Sequence, residues 1–276
     1  MTLPTFGQRL QTALREKGPL CVGIDPSAEL LRAWELPDSA EGLRQFSSRV
    51  LEAVVGVVGV VKPQVAFFER HGSTGMAALE ALLVQARTAG LLVLADAKRG
   101  DIGTTAAAYA DAWLSPESPL CADAVTVTAY LGLEALQPLI DVGRRHGNGV
   151  IVVVRSSNPE GEALQSALVS DSLSVADSLF DAIAAFNARE TAGAHLGTVG
   201  AVLGATVPHE RAAALGGPIL APGLGAQGAT GADFTRVFGS CPAGMVTGSV
   251  SRGVLAAGPD VHALRDAALR WQDSLR

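Results

Sequence analysis

The residues Val93-Leu-Ala-Asp96-Ala-Lys98-Arg99-Gly100-Asp101-Ile102-Gly103 end an apolar run, 91–95, in a burst of charge. A short strand that is apolar along its whole length, with no polar alternation, is one buried on both faces, as in a parallel sheet. Burying charge is unfavourable unless it is paired. A strand that delivers two carboxylates and an ammonium to one point therefore reads as a site rather than a structural accident.

Further short apolar runs lie at 20–24, 57–61, 124–128, 150–154, 199–203, 218–221 and 244–247. Helical patterning fills the segments between them, for example at 76–89, 133–145, 175–192 and 209–215. Apolar strands that alternate with helices predict the α/β class, and eight such units predict a (β/α)8 TIM barrel. The reading is of a single barrel domain over 1–276, with an N-terminal amphipathic helix over 2–17 and a C-terminal helix. The competing architecture is an open doubly wound sheet. Its dinucleotide-binding form would place Gly-x-Gly-x-x-Gly after the first strand, and the chain has none there. In a barrel the active site forms at the C-terminal strand ends. Asp25, Lys62, Asp96, Lys98 and Ser157 all stand there, contributed by four different strands.

Composition narrows the partners. Hydrophobic residues make up 48% of the 276, enough for a sizeable core. The net charge is −6 and no Lys/Arg stripe forms, which argues against nucleic acid. The longest apolar run, 53–61, is interrupted by glycine and too short to span a bilayer, so no membrane partner is expected. Cys21, Cys121 and Cys241 are scattered, with no metal-ligand spacing, and read as reduced thiols of a cytoplasmic protein.

The charged constellation has a definite chemistry. Residues two apart on a strand share a face, so Asp96 and Lys98 are expected on the same side. A lysine flanked by carboxylates is held as an ammonium. It is then a poor Schiff-base nucleophile but a good electrostatic clamp and proton donor. That argues for a step that generates a carbanion. Aspartates close to a substrate carboxylate repel it, and its loss as carbon dioxide relieves the repulsion. Three aspartates could instead hold Mg2+ through oxygen, but two interleaved lysines oppose a cation, so no metal is assigned. His71, His146, His195, His209 and His262 are isolated from the carboxylates.

The seventh and eighth units end in Ala221-Pro222-Gly223-Leu224-Gly225-Ala226-Gln227-Gly228 and Thr247-Gly248-Ser249-Val250-Ser251-Arg252-Gly253. Barrels often bind phosphate between these two loops and a helix N-terminus. Glycines let backbone N–H groups approach, and Arg252 offers a planar donor fork. The substrate expected is a small phosphorylated molecule gripped at one end, with its reacting carbon over Lys98. A Mg2+-dependent sugar-phosphate decarboxylase or epimerase, and a non-catalytic phosphate-ligand binder, are the competing readings.

The run Asp96-Ala-Lys98-Arg-Gly-Asp101-Ile102-Gly-x-Thr105 resembles the signature of the orotidine 5′-monophosphate decarboxylase family. Gly23-Ile-Asp25-Pro26, Val61-Lys62-Pro63-Gln64, Ser156-Ser157-Asn158-Pro159 and Pro222-Gly223-Leu-Gly225-Ala-Gln227-Gly228 extend the likeness, and the second of these is similar to the longer bacterial branch. The resemblance implies a carboxy-lyase without cofactor that converts orotidine 5′-monophosphate to uridine 5′-monophosphate, the last step of de novo UMP synthesis. It implies a homodimer with the site shared across the interface. Lys98 would protonate C6, Asp96 would press on the leaving carboxylate, and Lys62 and Asp25 would bind ribose. Asp101, with Ile102 and Thr105, would reach the neighbouring subunit's site. Ser157 would contact the pyrimidine, and Pro222, Gln227 and Arg252 would line the phosphate end. Two positions depart from the pattern: Ala129 stands where proline is expected, and Ser251-Arg252 replaces Gly-Arg. Arg99 has no catalytic role in this reading, and an ion pair is its default.

Overall fold

The computed structural model describes residues 3–276, so Thr2, where the predicted first helix begins, lies outside the described residues. The described helix runs Phe6–Lys17. Eight parallel strands close into a barrel: β1 (Leu20–Ile24), β2 (Val60–Pro63), β3 (Leu92–Arg99), β4 (Ala124–Thr128), β5 (Gly149–Arg155), β8 (Val199–Leu203), β9 (Ile219–Ala221) and β10 (Val246–Val250). The first strand pairs with both β2 and β10, which excludes the open sheet. A small antiparallel hairpin, β6 (Leu168–Ser170) with β7 (Leu173–Ser174), sits apart.

Alternation along each strand positions the site. One face, including Val22, Val61, Val93 and Val125, packs outward under the helices. The other face builds an apolar floor inside the barrel from Cys21, Val60, Leu94, Ala124, Ile151, Val202 and Leu220. Two residues further on from that floor lie Gly23, Lys62, Asp96, Thr126, Val153, Gly204 and Pro222. The period of two thus sets Lys62, Asp96 and Thr126 side by side, one step above an apolar layer.

The floor is closed from below. Phe6, Leu10 and Leu14 of the first helix belong to the same buried cluster. Thr5 caps that helix reciprocally with Gln8, and its hydroxyl donates to Leu196 O at 2.5 Å. Arg9 pairs with Asp123 and donates to Gly147 O at 2.9 Å, while the other oxygen of Asp123 accepts from Val93 N–H at 2.8 Å.

Several predicted boundaries move. Lys62 and Pro63 lie inside β2 rather than after it: Val57 and Val58 still donate back to Val54 O and so close the preceding helix, and the strand begins only at Val60. The eighth barrel strand starts after the left-handed Gly244, at Val246. Of the helix predicted over 209–215, only a 3-10 turn, Ala212–Leu215, forms. The hairpin was not anticipated, since two or three residues per strand carry no readable periodicity. No described helix is long and apolar enough to cross a membrane.

Phe6 is fully buried and touches the place where Gly149 lacks a Cβ. Phe6→Ala should therefore destabilise the chain by about 3–5 kcal/mol, read as a lower urea midpoint at unchanged slope.

Candidate active site

A cavity of about 310 Å³ opens at the C-terminal strand ends. Asp25, Lys62, Asp96, Lys98, Ser157, Pro222, Gln227 and Arg252 all line it. The structure thus gathers eight of the residues singled out from sequence, drawn from most of the barrel. Asp101, Ile102 and Thr105 do not line it.

Asp96 is the hub. Lys62 Nζ reaches its Oδ2 at 3.2 Å, and Lys98 Nζ reaches its Oδ1 at 2.6 Å. Thr126 donates its hydroxyl to the same Oδ1 at 2.8 Å. Burial pushes the Asp96 carboxyl up, but the two ammonium groups and the hydrogen bonds outweigh it and hold it well below the ordinary carboxylate range. Burial likewise opposes the charge on Lys62, and the carboxylates of Asp96 and Asp25 overcome it, so its ammonium is held above the usual lysine range. The Lys62 side chain is 8% exposed and that of Lys98 49%, so one lysine is set in the wall and the other stands in the opening. Below them, burial raises the Cys21 thiol to about 12, which leaves it no nucleophilic role at neutral pH.

The third strand does not deliver Lys98 by plain alternation. Ala95 lies opposite Val125 and Arg99 opposite Val127, so β3 carries two more residues than β4 between the same partners. Lys98 sits in this bulge at φ +48°, a left-handed conformation costly for a lysine. Bulges re-aim side chains beside sites. The displaced Lys98 N–H is satisfied by Thr126 Oγ1 at 3.0 Å. Gly100 follows because a Cβ there would lie 2.5 Å from Thr128 O. Thr126 was missed in the sequence reading; its signal is its place two residues after the floor residue Ala124.

The next residues turn away from the cavity. Arg99 pairs with Glu69, donates to Ala97 O at 3.2 Å, and lies 5.6 Å from the Trp113 ring centroid. Asp101 Oδ1 accepts from the backbone N–H of Ile102 at 2.8 Å. Ile102, Tyr130 and Leu131 are exposed apolar side chains on the segments after β3 and β4.

The opposite rim is polar. Ser251 donates to Asp25 Oδ2, while the buried Asp25 Oδ1 has no partner. Ser157 donates to Gln227 Oε1 at 2.5 Å, which ties the loop after β5 to the loop after β9. The neighbouring Ser156 is occupied otherwise, by Gln165 Nε2 at 2.8 Å. Gly223, Gly225 and Gly228 all have positive φ, so side chains are excluded where the loop after β9 turns. Arg252 is exposed, and no carboxylate among the described residues pairs with it. The helix that follows is only Arg252–Leu255, so the side chains and loop amides carry the anion-binding potential. Among the described residues no three His, Cys, Asp or Glu side chains converge as a ligand set, and both oxygens of Asp96 are already engaged.

Residues 18–267 match the Orotidine 5'-phosphate decarboxylase / HUMPS family. A protein of Salinispora tropica named orotidine 5'-phosphate decarboxylase is 55% identical over 97% of this chain and 96% of its own length. One of the same name from Streptomyces coelicolor is 52% identical over 98% and 97%. A crystal structure of a Streptomyces avermitilis protein superposes with a TM-score of 0.92 at 50% identity, covering 100% of this chain and 96% of that one.

Asp96→Asn would strand the buried Lys62 ammonium, which should destabilise the fold by roughly 3–5 kcal/mol at neutral pH. The depressed folded-state value of Asp96 adds stability above its unfolded value, about 3.9, that is lost as pH falls below it. Urea unfolding between pH 7 and 3 should therefore show a steeper acid decline for the unaltered chain than for the Asn variant.

Proposed function

The chain belongs to the Orotidine 5'-phosphate decarboxylase / HUMPS family and decarboxylates orotidine 5′-monophosphate to uridine 5′-monophosphate in pyrimidine biosynthesis; we propose that the cavity around Asp96 is where it does so, with Lys98 as the acid. The observation that carries the proposal is one carboxylate held between two ammonium groups, with the more exposed of the two at 2.6 Å.

The phosphate lies against Arg252, Gln227 and the glycine-rich loop after β9, with Pro222 shaping the turn. Ser157, tied to Gln227, faces the pyrimidine edge. Asp25 and Lys62 take the ribose hydroxyls, for which the unpartnered Asp25 Oδ1 is a spare acceptor. The pyrimidine carboxylate then comes to rest against Asp96. The C6–carboxylate bond breaks, carbon dioxide leaves, and the electron pair remains at C6. The Lys98 ammonium transfers its proton to C6, and the resulting amine recovers a proton from solvent. Fixed charges do this without reorganising at the moment of reaction.

Asp25 and Asp96 balance Lys62 and Lys98 within one chain. The further carboxylate that the family resemblance implies, Asp101, does not line the cavity of its own chain. It lies next to the exposed Ile102, and the segment after β4 exposes Tyr130 and Leu131 as well. We place that surface against a second copy in a homodimer, so that Asp101 and Thr105 of each chain complete the other's site. The three free thiols suit a reducing cytoplasm.

Lys98→Ala should lower kcat by about 10²–10⁴-fold or more, followed as loss of the orotidine absorbance, while uridine 5′-monophosphate still binds. An unaltered chain that leaves the substrate intact would overturn the decarboxylase reading.

Mixing inactive Lys98→Ala chains with inactive Asp101→Ala chains should restore activity through hybrid dimers that hold one intact site. Full subunit exchange without recovery would remove Asp101 from the partner's site.

A further inference from the structure

We propose that Thr126 is the positioning residue that keeps the Asp96 carboxylate turned toward the substrate carboxylate; this rests on the decarboxylation reading above. An anion pressed against Asp96 repels it, and the easiest relief is rotation of the aspartate about its last torsion, which is soft. Repulsion therefore reaches the substrate only if that rotation is blocked.

Three groups hold the carboxylate: Lys62 Nζ on Oδ2, and Lys98 Nζ and the Thr126 hydroxyl on Oδ1. The lysines are flexible four-carbon arms that can follow a rotating carboxylate. Thr126 cannot. It is β-branched, lies in the middle of β4 and is 1% exposed. Its hydroxyl is also oriented from the other side. Lys98 N–H donates to Oγ1 at 3.0 Å, so the hydroxyl proton is directed to Asp96 at 2.8 Å. One side chain thus fixes the repelling carboxylate and the left-handed backbone that carries the proton donor.

Thr126→Val keeps the shape and removes both hydrogen bonds; Thr126→Ser keeps both. The Val variant should lose about 10–100-fold in kcat, the equivalent of one hydrogen bond to a charged group. Its KM for orotidine 5′-monophosphate should stay level or fall, because releasing ground-state repulsion favours binding. Affinity for uridine 5′-monophosphate, which has no such carboxylate, should not change, and Ser should restore kcat. A Val variant that raises KM and weakens the product in parallel, with no rescue by Ser, would make Thr126 a packing residue and overturn the proposal. If the Val chain does not fold, Thr126→Ala gives the same comparison, and undiminished kcat in either variant overturns it as well. Inactivity of the unaltered chain would instead refute the decarboxylation on which the proposal rests, and that result involves no Thr126 variant.

Discussion

The structure depends on one carboxylate, Asp96, shared between two ammonium groups inside a barrel. Removing Asp96 and Lys62 from water costs several kcal/mol for each ion, and mutual attraction repays it only when geometry is good and the remaining lone pairs are used. Asp96 meets that condition with three contacts spread over both oxygens. The rest of the fold makes that geometry possible. The apolar floor of Cys21, Val60, Leu94, Ala124, Ile151, Val202 and Leu220, stoppered by Phe6 and Leu10, keeps water from below. The array can then be wet only from the mouth, where Lys98 stands.

Much of this arrangement is legible in the sequence because strand periodicity is rigid. Continuous apolar runs revealed strands buried on both faces, and the charged residues ending them marked the C-terminal mouth. Asp25, Lys62, Asp96, Lys98, Ser157, Gln227 and Arg252 meet there once the barrel closes, Lys98 with the help of its bulge. What escaped was set by contacts rather than by pattern. A threonine in the run Ala124-Val-Thr126-Val-Thr128 looks like any β-former, and only the register of β3 against β4 shows that its hydroxyl faces Asp96. The bulge at Lys98 was equally hidden, because plain alternation already predicts Asp96 and Lys98 on one side.

The motif Asp96-x-Lys98-x-x-Asp101 reads as one charge cluster, and the geometry divides it. The bulge sends Asp96 and Lys98 inward. Arg99 is held outside the barrel by Glu69 and Trp113, and Asp101, whose Oδ1 is engaged by the N–H of Ile102, is not part of the cavity lining. Arg99 thereby gains a physical account. It pins the chain immediately after the strained Lys98, so the left-handed residue is anchored on one side by Thr126 and on the other by an ion pair. Backbone strain persists only where the surroundings over-determine it, and here both flanks do.

The two ends of the cavity differ in how well they are satisfied, and that difference bears on catalysis. Around Asp96 the polar groups are paired. Toward the proposed phosphate end, Arg252 has no carboxylate partner among the described residues, and Asp25 Oδ1 is buried without a donor. In the proposed binding mode a ligand thus gains most of its binding where no bond is broken, at the phosphate and ribose. It gains little at the charged array, which is already neutralised and which repels the reacting carboxylate through Asp96. Binding energy from remote groups can hold a substrate in a geometry that its reacting end resists, and the resistance disappears as the carboxylate departs. A site built this way is complementary to the decarboxylated species. The hydroxyl of Thr126 and the balanced charge of Asp96 are what prevent the protein from relaxing that mismatch itself.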